Sequence, residues 1–421
     1  MTFLSDLAAS RRVAGQAGIT SVCSAHPMVI EAALRQAKHD QTPALIEATC
    51  NQVNHRGGYT GMKPADFRRL VEDIAAKVGF DLQHLILGGD HLGPNPWKHL
   101  PAEQAMTEAS AMVEAYARAG YSKIHLDASM GCLGEGAAPA DEVIAARAAS
   151  LAEVAERASE RTTPVFVIGT AVPTPGGTTA EHHGIQVTKP ADVLNTIEIH
   201  RRAFESRGAR SAFDRVIAVV VQPGVEFGND SIDLYDSAAA RPLSAVLEAT
   251  PQFVFEAHST DYQPPRALKE LVRDGFAILK VGPHLTFALR EALYGLDLIA
   301  AELDGAGPTL RQSMEQLMLK EDRHWKPYYQ GNADELQRQR HFSYSDRIRY
   351  YWATPEASAA VDRLLQRLDN CALPPTLIGQ YLGALASGVA TGEIEPRPRA
   401  LLIAAVRVVL TAYSTACRAT A

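Results

Sequence analysis

Cysteine is scarce and shows no pairing pattern. The five cysteines of this 421-residue chain (Cys23, Cys50, Cys132, Cys371 and Cys417) form no CxxC and lie far apart. That spacing excludes a disulfide framework and a zinc knuckle, and it suits reduced thiols in a cytoplasmic protein. Basic charge is short as well. The formal net charge is −7 and the densest basic spots are Arg68-Arg69 and Arg201-Arg202, on segments that read as helix surface. Nothing therefore marks a nucleic-acid partner. No uninterrupted apolar run of about 18 residues is read, which implies no membrane partner. Residues 1–15 hold Asp6, Arg11 and Arg12 and lack the apolar centre of a secretory signal. No GxGxxG follows a strand, and neither GxxxxGKS nor GxxxxGKT occurs. A bound nicotinamide and a P-loop kinase thus have no fingerprint here. Returning hairpins, internal repeats and low-complexity tracts are also missing.

What is present is alternation. Short apolar, β-branched runs fall at 19–26, 43–51, 84–92, 123–129, 164–170, 215–223, 253–259 and 276–283. Between them lie segments rich in Ala, Glu, Arg and Leu at helical spacing, such as 64–77, 102–119, 139–158 and 191–205. Eight strands alternating with helices predict parallel βα units closing into a (β/α)8 barrel over residues 1–304, its eighth helix at 285–303. A doubly wound sheet would need fewer units. Residues 305–421 carry helical stretches without strands, around an aromatic and basic segment at 325–352. This part is expected to be a helical extension packed on the barrel.

Chemistry in such a barrel sits at the C-terminal strand ends, where alternate residues point inward. With Phe253 and Phe255 outward, Glu256 and His258 turn in. With Ile124 and Leu126 outward, His125, Asp127 and Ser129 turn in. Glu47, Thr49 and Asn51 share one face, Gln222 closes the sixth strand, and Lys280 shares parity with His284. Ionisable groups from several strands are costly to bury unless they pair or bind something, so the set predicts a site. Gly88-Gly89-Asp90-His91-Leu92-Gly93-Pro94 is the sharpest motif. A neutral imidazole suits a divalent transition metal, and a carboxylate beside it can shuttle a proton. His91, His258 and Glu226 are the expected ligands, with Asp127 behind them. The metal is expected to be zinc, with Mn, Co or Mg as alternatives. Lys280 could form a Schiff base with a ketose or act as a charged partner for a sugar oxygen. His182-His183, in a polar loop, reads as solvated.

At this point the residues become familiar. Segments 21–27, 47–54, 57–62, 88–96, 123–130, 221–227, 256–263, 278–283 and 345–352 resemble the so-called non-catalytic Z subunits of tagatose-1,6-bisphosphate aldolase, a family that also includes ketose and ketose-phosphate 4-epimerases. The resemblance covers nearly the whole chain. Members are similar to class II aldolases, in which an Asp-His pair after the third strand supplies a proton shuttle and a zinc ligand. Asp90 and His91 occupy that place. Two positions depart from the family pattern, Ala171 where a glutamate is usual and His284 where a small residue is usual.

The implied activity is inversion at C4 of a ketohexose or its 6-phosphate, of the tagatose/fructose or sorbose/psicose type. Carbonyl activation acidifies C1 and C3 but not C4, so inversion needs either transient oxidation or breaking and remaking of C3–C4. Without a nicotinamide site the second route is expected, with charge developing on the enediolate stabilised by the metal. Asp90 and Glu256 are expected as acid and base, Lys280 as a further catalytic group, and Glu47, Asn51, Asp127, Gln222 and His284 as sugar-binding groups. The segment after the seventh strand, His258-Ser259-Thr260-Asp261-Tyr262, has no glycine cradle for phosphate. Gly57-Gly58, Gly176-Gly177 or the Arg-rich C-terminal segment could substitute. The alternative reading is an accessory subunit that stabilises a separate aldolase catalytic subunit. Association with further copies of the chain is also left open.

Overall fold

In the computed structural model, which describes residues 3–14, 18–172, 185–307, 309–368 and 372–418, eight parallel strands close into a barrel. In chain order they are β1 (Ile19–Cys23), β2 (Ala44–Thr49), β3 (Leu85–Leu92), β4 (Lys123–Leu126), β5 (Val165–Ile168), β6 (Val216–Val221), β7 (Val254–Ala257) and β8 (Ile278–Val281). Each lies inside one of the expected runs, and β8 pairs back onto β1 to close the ring. The expected runs extend further than the strands because their last polar residues belong to the loops of the mouth. One two-residue antiparallel hairpin, Glu226–Phe227 with Ile232–Asp233, stands outside the barrel.

The strands form because their residues are apolar on both faces, as burial under helices and within the barrel requires. Ile19, Leu45, Val165, Ile217, Val254 and Ile278 fill the lower interior, and Leu4 and Leu7 close it from beneath. The polar residues are thereby confined to the upper half. Glu47 pairs in register with Gly88, and Gly88 with Lys123. A Cβ on Gly88 would lie 2.0 Å from Glu47 Oε1, so the missing side chain is what lets Glu47 reach Lys123.

The helix after β8 is Pro283–Asp304, followed by the expected helical stretches. The last helix, Pro398–Cys417, is long and apolar enough by length and composition to cross a membrane, with a hydropathy of 1.8. The sequence reading passes over it because Arg399 and Arg407 interrupt the apolar run. Half of it is buried. It packs on β1 and on the helices after β1 and β7, Pro27–Asp40 and Pro265–Arg273, filling the sector of the ring between them.

Candidate active site

The third strand does not alternate at its end. Between Gly89 and Leu92 its register with β4 shifts, so Asp90 and His91 together face the single residue His125. His91 takes a left-handed backbone (φ 51°), which a β-bulge imposes at a cost on a non-glycine residue. The bulge buries both side chains of a consecutive pair, Asp90 and His91, at the mouth.

Three imidazoles meet there. The ring centres of His91, His125 and His258 are 5.1, 4.9 and 5.2 Å apart. Each is braced by its own carboxylate. His125 Nδ1 lies 2.9 Å from Asp90 Oδ1, His258 Nε2 3.0 Å from Glu256 Oε1, and His91 Nδ1 2.7 Å from Asp127 Oδ2. In His91 and His258 the braced nitrogen donates its N–H to the carboxylate and the other presents a lone pair, while His125 Nδ1 also accepts from the His91 backbone N–H at 3.2 Å. His125 Nε2 and His258 Nδ1 are buried without a partner, whereas His91 Nε2 accepts from Lys280 Nζ at 2.7 Å. Burial lowers the His258 pKa to about 3 and lowers that of His91, so both rings are neutral.

The charges below them are shared. Lys123 bridges Glu47 and Glu256 at 2.8 Å each, and Ser21 Oγ donates to Glu47. Lys280 pairs with Asp90, and Cys23 Sγ lies 3.6 Å from the same carboxylate. Burial alone would raise Asp90, but His91, Lys280 and His125 outweigh it and hold its pKa well below the usual range. Burial likewise opposes the charge of Lys280, yet Asp90 prevails and keeps the amine protonated. Burial raises the Glu47 pKa, yet the other three buried carboxylates (Asp90, Asp127, Glu256) still outnumber the two ammonium groups, an excess of negative charge that a cation would offset. Asp90, His125, Glu256 and His258 can each offer one ligand atom, all within 4.8 Å of one another. This donor set of imidazoles and carboxylates, with unpartnered nitrogens in it, fits a divalent transition metal.

The expected residues are not all at one place. The cavity above the imidazoles is lined by Asn51, His91, His258 and Lys280 among those expected, together with Cys23, Tyr59, Asp261, Arg349 and Tyr350. Asp90, Glu47, Glu256 and Asp127 lie behind this lining. Glu226 is buried in the hairpin, where its carboxylate accepts from the Phe227 amide at 3.0 Å, and burial pushes its pKa up to about 7. It does not line the cavity. Gln222 caps its own turn, accepting from Gly224 and Val225 at 2.8 and 2.9 Å, and it borders a separate cavity with Thr170 and Ala171. His284 accepts from the Tyr262 amide at 3.2 Å and rests against the Tyr262 ring. His182, His183, Gly176 and Gly177 lie outside the described residues.

Sequence reasoning missed Lys123, although it shares parity with His125 and that signal was available. It named His125 without a ligand role. It offered the Arg-rich C-terminal segment for phosphate without naming a residue, and Arg349 and Tyr350 reach over the mouth from the turn Arg347–Tyr350.

A closed parallel barrel with imidazoles, carboxylates and lysines gathered at its mouth defines an enzyme-type (β/α)8 protein. The chain belongs to the D-tagatose-1,6-bisphosphate aldolase subunit GatZ/KbaZ-like family, whose model matches residues 4–418. It is 55% identical over 418 residues to D-tagatose 6-phosphate 4-epimerase of Agrobacterium fabrum (strain C58 / ATCC 33970), covering 98% of each chain. It also matches the crystal structure of a probable tagatose 6 phosphate kinase from Sinorhizobium meliloti 1021, with a TM-score of 0.89 and 56% identity over 95% of this chain and 100% of that one. The fold alone is shared with a fructuronate-tagaturonate epimerase from Cohnella laeviribosi, at a TM-score of 0.50 and 11% identity, over 96% and 81% of the two chains.

Proposed function

We propose that this protein is a metal-dependent 4-epimerase of a ketohexose 6-phosphate of the tagatose type, working by cleavage and re-formation of C3–C4. The observation that carries the reading is the triangle of carboxylate-braced imidazoles beside a protonated lysine at a barrel mouth. A scaffold protein has no use for so costly an arrangement. The substrate is taken from the Agrobacterium relative, similar over its full length. The kinase name of the Sinorhizobium protein finds no phosphate-binding loop of the P-loop type in this sequence.

The best ligands for the metal are His125 and His258, each with a buried unpartnered ring nitrogen, completed by carboxylate oxygens of Asp90 and Glu256. Glu226 is left out because it neither lines the cavity nor lies in that cluster of donors. A bound divalent ion supplies Lewis-acid stabilisation of the charge that develops on C2 oxygen when C3–C4 breaks. The groups that touch substrate are His91, His258 and Lys280. A neutral imidazole accepts the C4 hydroxyl proton as the C4 carbonyl forms and the bonding pair moves to C3. The aldehyde fragment turns its other face, the pair returns to C4, and the proton goes back to the new C4 oxygen. His91, its tautomer held by Asp127, is the imidazole left for this transfer when His125 and His258 hold the ion, and its Nε2 then accepts from the sugar hydroxyl in place of Lys280. Lys280, kept protonated by Asp90, donates to a sugar oxygen and is not a Schiff-base nucleophile in this state.

The test uses the purified chain with no added aldolase subunit. It is incubated with D-tagatose 6-phosphate or D-fructose 6-phosphate, with a divalent metal or EDTA, and products are separated by chromatography. Metal-dependent interconversion is expected. No product from a metal-loaded sample refutes the proposal and leaves the accessory-subunit reading.

A further inference from the structure

The cavity has a second end that the chemistry above does not use. It is walled by Tyr59, Asp261, Gly282, Pro283, Arg349 and Tyr350. In (β/α)8 barrels a phosphate commonly rests on the amides that open the helix after β8. Here those amides are spent. Gly282 and His284 N–H donate to Asp261 Oδ1 at 3.0 and 2.8 Å, so the protein's own carboxylate sits where a phosphate would. The glycine pair of the β2 loop is spent too, Gly57 N–H on Asn54 O at 2.9 Å and Gly58 N–H on Asn54 Oδ1 at 3.1 Å.

Arg349 is different. Its Nη1 donates to the Ser345 and Asp346 carbonyls and its Nη2 to Tyr350 Oη at 3.0 Å, all uncharged acceptors. Among the described residues it forms no ion pair within 4.0 Å, although Asp261 and Asp346 are near enough to act on its charge, and its bonds leave Nε–H and one Nη2–H unused. The other cation of the lining, Lys280, is by contrast paired with Asp90. Nε and Nη2 form one edge of the guanidinium, the planar fork that meets phosphate with two parallel hydrogen bonds. The neighbouring aromatic rings, Tyr59 and Tyr350 with centres 4.7 Å apart, fix the position of that edge.

We infer that Arg349 is the receptor for the substrate's 6-phosphate, and that Asp261 bars phosphate from the start of the helix after β8. The inference rests on the proposed epimerase reading and adds the residue that selects the phosphorylated sugar. The helical extension then carries the substrate specificity while the barrel carries the chemistry.

The test compares wild type, Arg349→Gln and Arg349→Lys on D-tagatose 6-phosphate, free D-tagatose and D-tagaturonate, whose 6-carboxylate could use the same fork. Inorganic phosphate is titrated into each protein by calorimetry, and circular dichroism checks the fold. In wild type the phosphate ester should be preferred to both other sugars. In Arg349→Gln its KM should rise about 100-fold, as expected for losing a bidentate charged contact, with a loss on free tagatose at least tenfold smaller. Phosphate binding should vanish in Arg349→Gln and return in part in Arg349→Lys, which keeps the charge without the fork. Should the glutamine variant misfold, the lysine variant carries the comparison, with a smaller rise confined to the phosphorylated sugar. Equal losses on all sugars, undiminished phosphate binding in the variants, or a preference of wild type for tagaturonate would overturn the assignment. If wild type turns over no sugar, the epimerase reading fails by itself. Calorimetry then still decides the anion site: phosphate bound by wild type and lost in Arg349→Gln supports it, and no binding by wild type overturns it.

Discussion

Replacing Gly88 by alanine should cost far more than one methyl group suggests. The residue is extended and outside the left-handed region, so backbone strain is not the issue, and removing a glycine would otherwise stabilise by about 0.4–1 kcal/mol. The new Cβ would stand 2.0 Å from Glu47 Oε1 and 2.8 Å from its Cδ and Cγ. Glu47 must therefore swing aside, yet it is fully buried and held by Ser21 and Lys123. Displacing one partner of a buried ion pair costs about 3–5 kcal/mol. Set against the glycine gain, a net destabilisation of about 3 kcal/mol is expected. Urea unfolding followed by circular dichroism reads this as a shift of midpoint at constant slope. The same substitution made in a Glu47→Ala background, where nothing is left to displace, should cost less than about 1 kcal/mol. An equal penalty in both backgrounds, or a near-neutral Gly88→Ala, would refute the reasoning that the glycine exists to let Glu47 cross to Lys123.

Other substitutions bear on the metal, the lysine and pH. His125→Ala and His258→Ala should each reduce bound metal, measured by plasma mass spectrometry, from about one ion per chain to a small fraction, while Glu226→Ala should leave it unchanged. Lys280→Met should lower kcat by about 100-fold or more, and borohydride added during wild-type turnover should trap no sugar adduct by mass spectrometry. Glu226 has a native pKa raised by burial from 4.5 to about 7, so the native state holds a proton that the unfolded chain has released. The stability this gives is complete below pH 4.5 and is lost as pH rises through 7, an effect of at most roughly 3 kcal/mol. Glu226→Gln should accordingly gain on wild type across that interval in urea titrations at several pH values.

Much of the barrel could be read before any coordinates, because strands buried on both sides appear as short apolar runs with helices between them. The inward parity of Glu256 with His258, and of His125 with Asp127, follows from the same two-residue period. Where that period breaks, reading fails. Asp90 and His91 both enter the site only because β3 bulges, and a bulge has no reliable signature in a single sequence. Lys123 opens its strand, where a lysine suggests solvent, yet the carboxylates of β2 and β7 draw it into the centre. Glu226 and Gln222 lie beyond the end of β6, and a turn and a hairpin direct their side chains to local amides, which parity cannot foresee. Arg349 joins the site from a turn some 70 residues after β8, so the sequence offers the Arg-rich segment as a candidate but only tertiary packing singles out the residue.

The last helix has a consequence for how the protein comes to be made. Gly18 N–H donates to Cys417 O, and Tyr413 Oη donates to Thr260 O at 2.5 Å while Thr260 Oγ1 donates to the Lys280 carbonyl at 2.6 Å. The residue leading into the first strand therefore has a partner about 400 residues away, a separation that makes this contact slow to form. β8 can pair with β1 before that helix exists, but the outer side of the first strand stays uncovered until residues 398–417 have been added. Loss of that helix would leave the first strand and the backbone around Thr260 and Lys280 without their outer support.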